Sequence, residues 1–313
     1  MSEEKQIRVG GQAVIEGVMM RSPEYVATAV RKPDGRIALK RERFISWTKR
    51  IKALGWPFFR GGVMLIESMV LGIKALNFSG EVAMEEEAKG EGKEAVTASK
   101  QEGFWAKVTL GATVVFALGL GIGLFFYVPL LLTEWVGAES GVLFNLIDGG
   151  FRLLIFLLYL FLISRWKEIR RVFEYHGAEH VSIFAFEDGK PLTYESASAY
   201  KTFHPRCGTS FLLVVMLVSI LVFMLVGKPH TLQDRLVRFL FVPVIGGISY
   251  EVIRLSTTRW GKTIGQTLTA PGLWLQRITT QTPDASQVEV AMTALKSALD
   301  METGPNVDLV ETV

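Results

Sequence analysis

Cysteine and histidine are scarce in this sequence. Its 313 residues include one cysteine and four histidines. A single cysteine excludes an intramolecular disulfide, so no covalent cross-link can hold the fold together. The net charge of +3 is too small to favour binding to nucleic acid. A secretory leader is not expected, because residues 1–12 are polar and no short apolar stretch with a small-residue cleavage site follows them.

Apolar residues, in contrast, are abundant and fall in long blocks. They make up 49% of the chain, and four blocks are long enough to cross a hydrocarbon core about 30 Å thick. The blocks cover residues 108–133, 151–164 (extended back to 142), 210–226 and 236–253. We therefore predict a mainly α-helical, polytopic membrane protein with about four transmembrane helices and with membrane lipids as its immediate partners.

The charged residues predict how these helices are oriented. Basic residues lie before the first block, after the second and after the fourth, whereas the loop between the first two blocks carries Glu134, Glu139 and Asp148. Positively charged loops remain in the cytoplasm. We therefore expect both termini and the loop 165–209 to be cytoplasmic.

The remaining segments predict smaller units. Residues 1–45 are expected to form a cytoplasmic unit with a β-hairpin, because two strand-like runs flank a Lys-Pro-Asp-Gly turn. Residues 46–80 are predicted as amphipathic helices that are interfacial or re-entrant, and 81–103 as an acidic, unstructured linker. The transmembrane core, 104–265, is followed by 266–313, which should contain an interfacial segment, a cytoplasmic helix and an unstructured tail.

Three of the four histidines and the cysteine lie in two short motifs. The first, H-x-x-E-H, contains His176, Glu179 and His180, and the second, H-x-x-C, contains His204 and Cys207. Residues four apart share one face of a helix, so His176 and His180 can bind the same ion. The first motif is the inverted form of a zinc-peptidase signature in which the glutamate activates water. We predict a divalent metal site with Glu179 as the catalytic residue, and zinc as the ion because it accepts mixed nitrogen and sulfur ligands.

The number of protein ligands distinguishes two kinds of site. If three of the four candidates bind, one coordination position stays open and the site can be catalytic; if all four bind, the site is closed and structural. Gly177 weakens a helix, so the first motif is expected in the last turn of a helix that continues from the second block.

Three further residues are candidates for function. Arg206 would activate Cys207 as a nucleophile, with His180 or His204 as its base, which is a second chemical interpretation. Glu251 is a carboxylate late in the fourth block. Glu16 is a candidate ligand or acid in the glycine-rich stretch 10–21, which we interpret as a tight backbone corner.

Several stretches of the sequence resemble the YqhQ-like family of bacterial membrane proteins. The resemblance runs roughly from Arg8 to Leu299 and is carried by residues 10–21, 175–180, 204–210, 248–251 and 271–277. The family has no assigned reaction and is commonly described as a predicted metal-dependent enzyme. The resemblance implies a multi-pass protein of the bacterial inner membrane and supports metal-type positions in the two motifs. Many members carry a lysine where this chain has Val181, so a charge at this position is not expected to have a role here.

These observations predict a membrane-embedded metal-dependent enzyme. A hydrolase that acts on a lipid-linked or membrane-peptide substrate is the expected class, because a site at the cytoplasmic face meets such molecules at high local concentration. The alternative is a non-catalytic membrane scaffold or assembly factor with a structural metal. A transporter is disfavoured, because the apolar blocks contain almost no paired polar residues. The sequence does not predict the oligomeric state.

Overall fold

The computed structural model describes residues 7–56, 59–90, 103–205, 207–229, 231–256 and 262–312. The five strands are β1 (Gly10–Val14), β2 (Gly17–Arg21), β3 (Tyr25–Arg31), β4 (Ile37–Arg43) and β5 (Val307–Thr312). The helices before the first motif are α1 (Trp47–Arg50), α2 (Phe59–Gly90), α3 (Gly103–Ile122), α4 (Val128–Val136) and α5 (Gly141–Ile163). The later helices are α6 (Lys167–Glu187), α7 (Tyr194–Ser198), α8 (Gly208–Val226), α9 (Leu232–Leu240), α10 (Val242–Ser256), α11 (Lys262–Thr279) and α12 (Ala285–Ala298).

The chain divides into two compact units. The first contains Met1–Glu86, Ile163–Val214 and Gly246–Val313, and the second contains Glu87–Leu162 and Val215–Ile245. The first unit therefore holds the sheet and both sequence motifs, whereas the second consists of helices α3 to α5, most of α8, and α9.

The strands form one sheet in the order β1-β2-β3-β4-β5. The first four strands are an antiparallel meander, and the predicted hairpin is confirmed as β3 and β4. Two features were not predicted. The stretch 10–21 makes its corner at Ile15 and Glu16, but its flanks are strands rather than loop. The tail, which was expected to lack structure, supplies β5 in parallel to β4.

The sheet is buried on both faces, because side chains alternate between the faces along each strand. Helices α6 and α12 cover one face, and α2 covers the other. The contacts on the first side are made by Val18, Met20, Ala27, Leu39, Tyr175, Ala178, Val288 and Leu295. Those on the second side are made by Val14, Met19, Val26, Val30, Leu71, Ala75, Phe78 and Val82. Each large side chain buried in this way stabilises the fold by about 1.5–3 kcal/mol.

Helix α2 is longer than the sequence predicted. It continues to Gly90, so residues 81–90 of the predicted linker are helical, and residues 91–102 lie outside the described residues. Its buried Glu67 accepts hydrogen bonds from Arg21 and from the Ser46 hydroxyl at 2.9 Å. A carboxylate in an apolar helix thus anchors that helix to β2 and to the start of α1.

Five helical segments of the described residues are long and apolar enough to cross a membrane. They are Arg60–Met84, Gly111–Val136, Gly141–Ile163, Gly208–Val226 and Gln233–Ile253. The last four match the four predicted blocks, and the additional one belongs to α2. The structure therefore supports the prediction of a mainly helical membrane protein with a small N-terminal sheet.

The helix that carries the first motif differs from the prediction in two ways. It does not continue from α5, because Trp166 is extended (φ −76°, ψ 135°) and a new helix begins at Lys167. Gly177 lies in the middle of α6 rather than in its last turn. A Cβ at Gly177 would lie 2.0 Å from the Gln281 carbonyl oxygen, so this glycine permits a backbone crossing.

Candidate metal centre

Two histidines of α6 and one cysteine form a compact group of donor atoms. His176 and His180 are one turn apart, and their ring centroids are separated by 4.4 Å. Cys207 directly precedes α8, and its Sγ lies 3.1 Å from Nε2 of His176. One ligand atom from each of the three residues lies within 4.8 Å of the other two. The structure thus joins the two motifs into one group.

Backbone carbonyls determine which ring nitrogen of each histidine is available. Nδ1 of His176 lies 2.8 Å from the Thr279 carbonyl oxygen, and Nδ1 of His180 contacts the carbonyl oxygen of Thr202. A carbonyl only accepts hydrogen bonds, so each Nδ1 carries the proton and each Nε2 keeps its lone pair. Metal-binding histidines are typically oriented in this way.

His180 is the clearest sign of an unmet polar requirement. The residue is 1% exposed, and its Nε2 meets no hydrogen-bond geometry among the described residues, with the Cys207 sulfur as its polar neighbour. Burial lowers the pKa of His180 and so favours the neutral ring that can act as a ligand. A buried, neutral nitrogen that faces a sulfur and a second imidazole fits a soft or borderline cation.

Cys207 is buried and is held by its neighbours. Its Sγ lies 3.1 Å from the Thr209 hydroxyl and accepts a hydrogen bond from the Thr209 backbone N–H at 3.4 Å. These contacts orient the sulfur beside His176. The same geometry would suit a thiol–imidazole pair, but Arg206, the predicted activator of such a thiol, lies outside the described residues.

His204 lies beside the group but is not among its three members. Its ring is 5.6 Å from that of His180, and its Nε2 is 3.6 Å from Oε2 of Glu187. Its backbone is fixed by Gln276, which accepts from the His204 N–H at 2.7 Å and donates to its carbonyl oxygen at 2.8 Å. The structure therefore brings together three of the four predicted ligands, and the fourth forms the adjoining wall. The sequence did not identify the role of Gln276.

Glu179 is held against the first strand of the sheet. It is 6% exposed, and the backbone of Gly11 donates a hydrogen bond to its carboxylate. A Cβ at Gly11 would lie 2.9 Å from Cγ and Cδ of Glu179, so only glycine permits this approach. Burial raises the pKa of Glu179, whereas positive charge on His176 or His204 would lower it. The carboxylate can therefore hold a proton next to the donor group.

Two other candidate carboxylates serve as anchors elsewhere. Glu16, at the β1–β2 corner with φ 51°, pairs with Arg171 through both oxygens and accepts from the Tyr175 hydroxyl at 3.3 Å. The two oxygens of Glu251 accept hydrogen bonds from Nε and Nη2 of Arg60, at 2.6 and 2.5 Å. Neither belongs to the donor group of His176, His180 and Cys207 found among the described residues.

Comparison with known proteins gives a family but no activity. The family model described as "Protein of unknown function (DUF1385)" matches residues 56–301. The chain is 34% identical over 304 residues to the "Uncharacterized protein YqhQ" of Bacillus subtilis (strain 168), an alignment that covers 94% of this chain and 92% of the relative. No solved structure matches the chain.

Proposed function

This chain belongs to the DUF1385 family of proteins of unknown function, and from its own residues we propose that it is a membrane-embedded, zinc-dependent hydrolase. The observation that carries the proposal is the donor group of His176, His180 and Cys207, whose ligand atoms lie within 4.8 Å of one another. The two imidazoles are oriented as ligands by backbone carbonyls. This donor set suits zinc better than it suits the harder divalent ions.

The number of ligands favours catalysis. Three protein ligands leave one position of a tetrahedral site open, as in catalytic zinc enzymes. When bound, zinc would supply Lewis acidity at that position, to polarise a carbonyl or phosphoryl oxygen and to activate water. The surrounding residues exclude bulk water, since His180, His204 and Glu179 are all buried.

Glu179 is the proposed general base and acid. Its carboxylate is fixed by Gly11 and lies close to His176 and His204. A carboxylate in that position can accept a proton in one step and return it in the next. Because the carboxylate is outside the donor group, it remains free to transfer protons while the ligands hold the ion.

Connectivity supports four membrane crossings, with both termini on one side. Helix α6 packs on the sheet, so these two elements lie on the same side of the membrane. Between β4 and α6 the chain contains three segments of spanning length, Arg60–Met84, Gly111–Val136 and Gly141–Ile163. An odd number of crossings would separate α6 from the sheet. One of the three segments therefore does not cross, and the segment in α2 is the candidate, because its helix packs on the sheet.

Helix α2 has the surface of an interfacial helix. One face packs on the sheet through Leu71 and Phe78. The opposite face exposes Ile66, Met69 and Ile73, each by more than half of its surface. A helix that packs on a sheet with one face and exposes apolar side chains on the other is typical of a helix that lies in the membrane interface. With the basic residues on the same side, this supports a cytoplasmic sheet and metal centre in the inner membrane of a bacterium.

The proposed substrates follow from that position. A site that adjoins the cytoplasmic surface of the membrane meets lipid-linked molecules and membrane peptides at high local concentration. Both classes contain phosphoester or acyl bonds, which zinc hydrolases cleave. Lipids are therefore the proposed immediate partners of the protein.

A structural metal in a membrane scaffold or assembly factor is the second candidate. It is favoured by the way the donor group connects α6, the segment that precedes α8 and the end of α11. A closed site with His204 as the fourth ligand would lock these three segments together. The two candidates assign different roles to two residues. A closed site needs His204 as a ligand, and only an enzyme needs the Glu179 carboxylate. Both differences can be measured.

Cys207→Ser is expected to lower the zinc affinity of the purified protein by about a hundredfold or more, beyond the 10–100-fold loss typical of outer-shell partners. A serine hydroxyl does not ionise readily, so it replaces a thiolate ligand poorly. Competition against a chelator of known affinity measures the loss. The matched variant is His204→Gln, which removes no proposed ligand and should leave the affinity close to that of the wild type if three residues bind. An equal loss in both variants would contradict the open site and favour the closed, structural one.

A further inference from the structure

The second unit buries charged residues inside segments of spanning length. Asp148 and Arg152 lie on α5, and Arg238 lies on α9; Asp148 is 2% exposed and Arg238 is 6% exposed. Arg152 donates to Asp148 at 2.9 Å, and Arg238 lies 3.9 Å from the same carboxylate. The sequence prediction that the spans contain almost no paired polar residues is therefore wrong. Such residues are costly in a bilayer and mark functional sites.

The positive charges of this cluster exceed the carboxylates paired with them. Asp148 serves both Arg152 and Arg238, and Arg235 pairs with Glu134. Arg238 otherwise donates to neutral acceptors, the Asn145 amide oxygen and the Gly227 carbonyl oxygen, each at 2.8 Å.

Two further charged groups lie near these arginines. Asp234 accepts from the backbone of Thr231 at the start of α9, and Lys228 donates to the carbonyl oxygen of Ala138. Nη1 of Arg238 is buried and makes no hydrogen bond among the described residues, although it forms an ion pair with Oδ2 of Asp148 at 3.9 Å. A buried donor without a hydrogen bond is commonly explained by a bound ion or an ordered water.

A cavity of about 130 Å³ adjoins these arginines. Arg152, Arg235 and Arg238 line it together with the rings of Phe126, Phe223 and Phe239. The guanidinium of Arg238 lies 4.8 Å from the ring centroid of Phe223, and that of Arg152 lies 5.0 Å from Phe126. These cation–π contacts fix the charged groups in an otherwise apolar wall.

The rim of the cavity is apolar and exposed. Tyr127 and Leu236 line it and expose 51% and 58% of their surfaces. A typical pocket for a whole drug-sized ligand has about 300–1,000 Å³, so this cavity has room for a headgroup and the first methylenes of a chain. The rest of the chain would leave across the exposed rim into the lipid.

We propose that this cavity binds a phosphate group that carries an apolar chain, as in the headgroup region of an anionic lipid. The planar forks of arginine match phosphate oxygens in pairs, and the aromatic wall matches the chain. Binding would supply a hydrogen-bond acceptor for the buried Nη1 of Arg238. The proposal does not depend on the zinc centre, because none of the donor residues lines the cavity.

Binding of dodecyl phosphate to the full-length protein in a neutral detergent tests the proposal, with inorganic phosphate and dodecylphosphocholine as comparison probes. Titration calorimetry should show saturable binding of about one dodecyl phosphate per chain, unchanged by a zinc chelator. Arg238→Gln should lower the affinity about 10–100-fold through loss of charged hydrogen bonds. The charge-matched control is Arg36→Gln, on the sheet unit, which should leave the affinity unchanged.

A second variant tests the cavity without altering its charge. Leu236→Trp replaces an exposed rim residue and should block the mouth, so binding should also fall at least about tenfold. If Arg238→Gln fails to fold, the affinity of Leu236→Trp for dodecyl phosphate tests the site instead. Equal affinity for inorganic phosphate would overturn the requirement for a chain, and equal affinity for dodecylphosphocholine would overturn the preference for an anionic headgroup. Unchanged binding in the folded cavity variants would overturn the site itself.

Discussion

Replacing Glu179 with glutamine is expected to slow the proposed hydrolysis by about 10²–10⁴-fold while zinc stays bound. The amide keeps the size of the side chain, and the Gly11 backbone can still donate to its oxygen. It cannot accept a proton, however, so the step that activates water loses its base. The donor atoms of His176, His180 and Cys207 are unchanged, and zinc content should be that of the wild type.

Products released from lipids and membrane peptides, followed by mass spectrometry, measure the rate, and elemental analysis of the same samples measures the metal. Glu168→Gln is the matched control, because it removes one carboxylate from the exposed first turn of the same helix. The control should retain full activity. If Glu179→Gln keeps both zinc and activity, Glu179 is not the proton carrier.

Gly177→Ala is expected to destabilise the first unit by about 2–3 kcal/mol, a typical result of overpacking. Alanine normally stabilises a helix interior by about 1 kcal/mol relative to glycine. Here its Cβ would lie 2.0 Å from the Gln281 carbonyl oxygen, and the backbone would have to move. That movement would break the hydrogen bond from the Gln281 N–H to the Phe173 carbonyl oxygen.

Thermal unfolding in detergent, with and without a zinc chelator, measures this effect apart from any loss of metal. Gly80→Ala is the matched control in α2, because a Cβ there would meet no atom within 4 Å. The control should be as stable as the wild type or slightly more stable. If Gly177→Ala unfolds at the same temperature as the Gly80→Ala control, the close backbone crossing at Gly177 is contradicted.

Much of the candidate site could be predicted from local sequence. The four-residue spacing placed His176 and His180 on one face of a helix, and the structure confirms that arrangement. The meeting of Cys207 with these histidines depends on how α6, α8 and α11 pack, which no local pattern reports. The position of Glu179 likewise depends on β1, because Gly11 leaves the space that its carboxylate fills.

The fold was predictable where the pattern was local and strong. The apolar blocks and the turn between β3 and β4 gave the right elements. β5 was missed because it is short and its partner β4 is far away in sequence, so no local turn signals the pairing. The strands around Glu16 were missed because glycine disfavours strands, yet here Gly11 and Gly17 permit close contacts.

The zinc content of the purified full-length protein is the most direct test of the proposed function. Elemental analysis should find about one zinc per chain in the wild type, and none above background in the His176→Ala/His180→Ala variant, since zinc sites need at least three protein ligands. A wild-type protein without tightly bound metal would contradict the metal centre. A double variant that still holds zinc would contradict the ligands assigned to it.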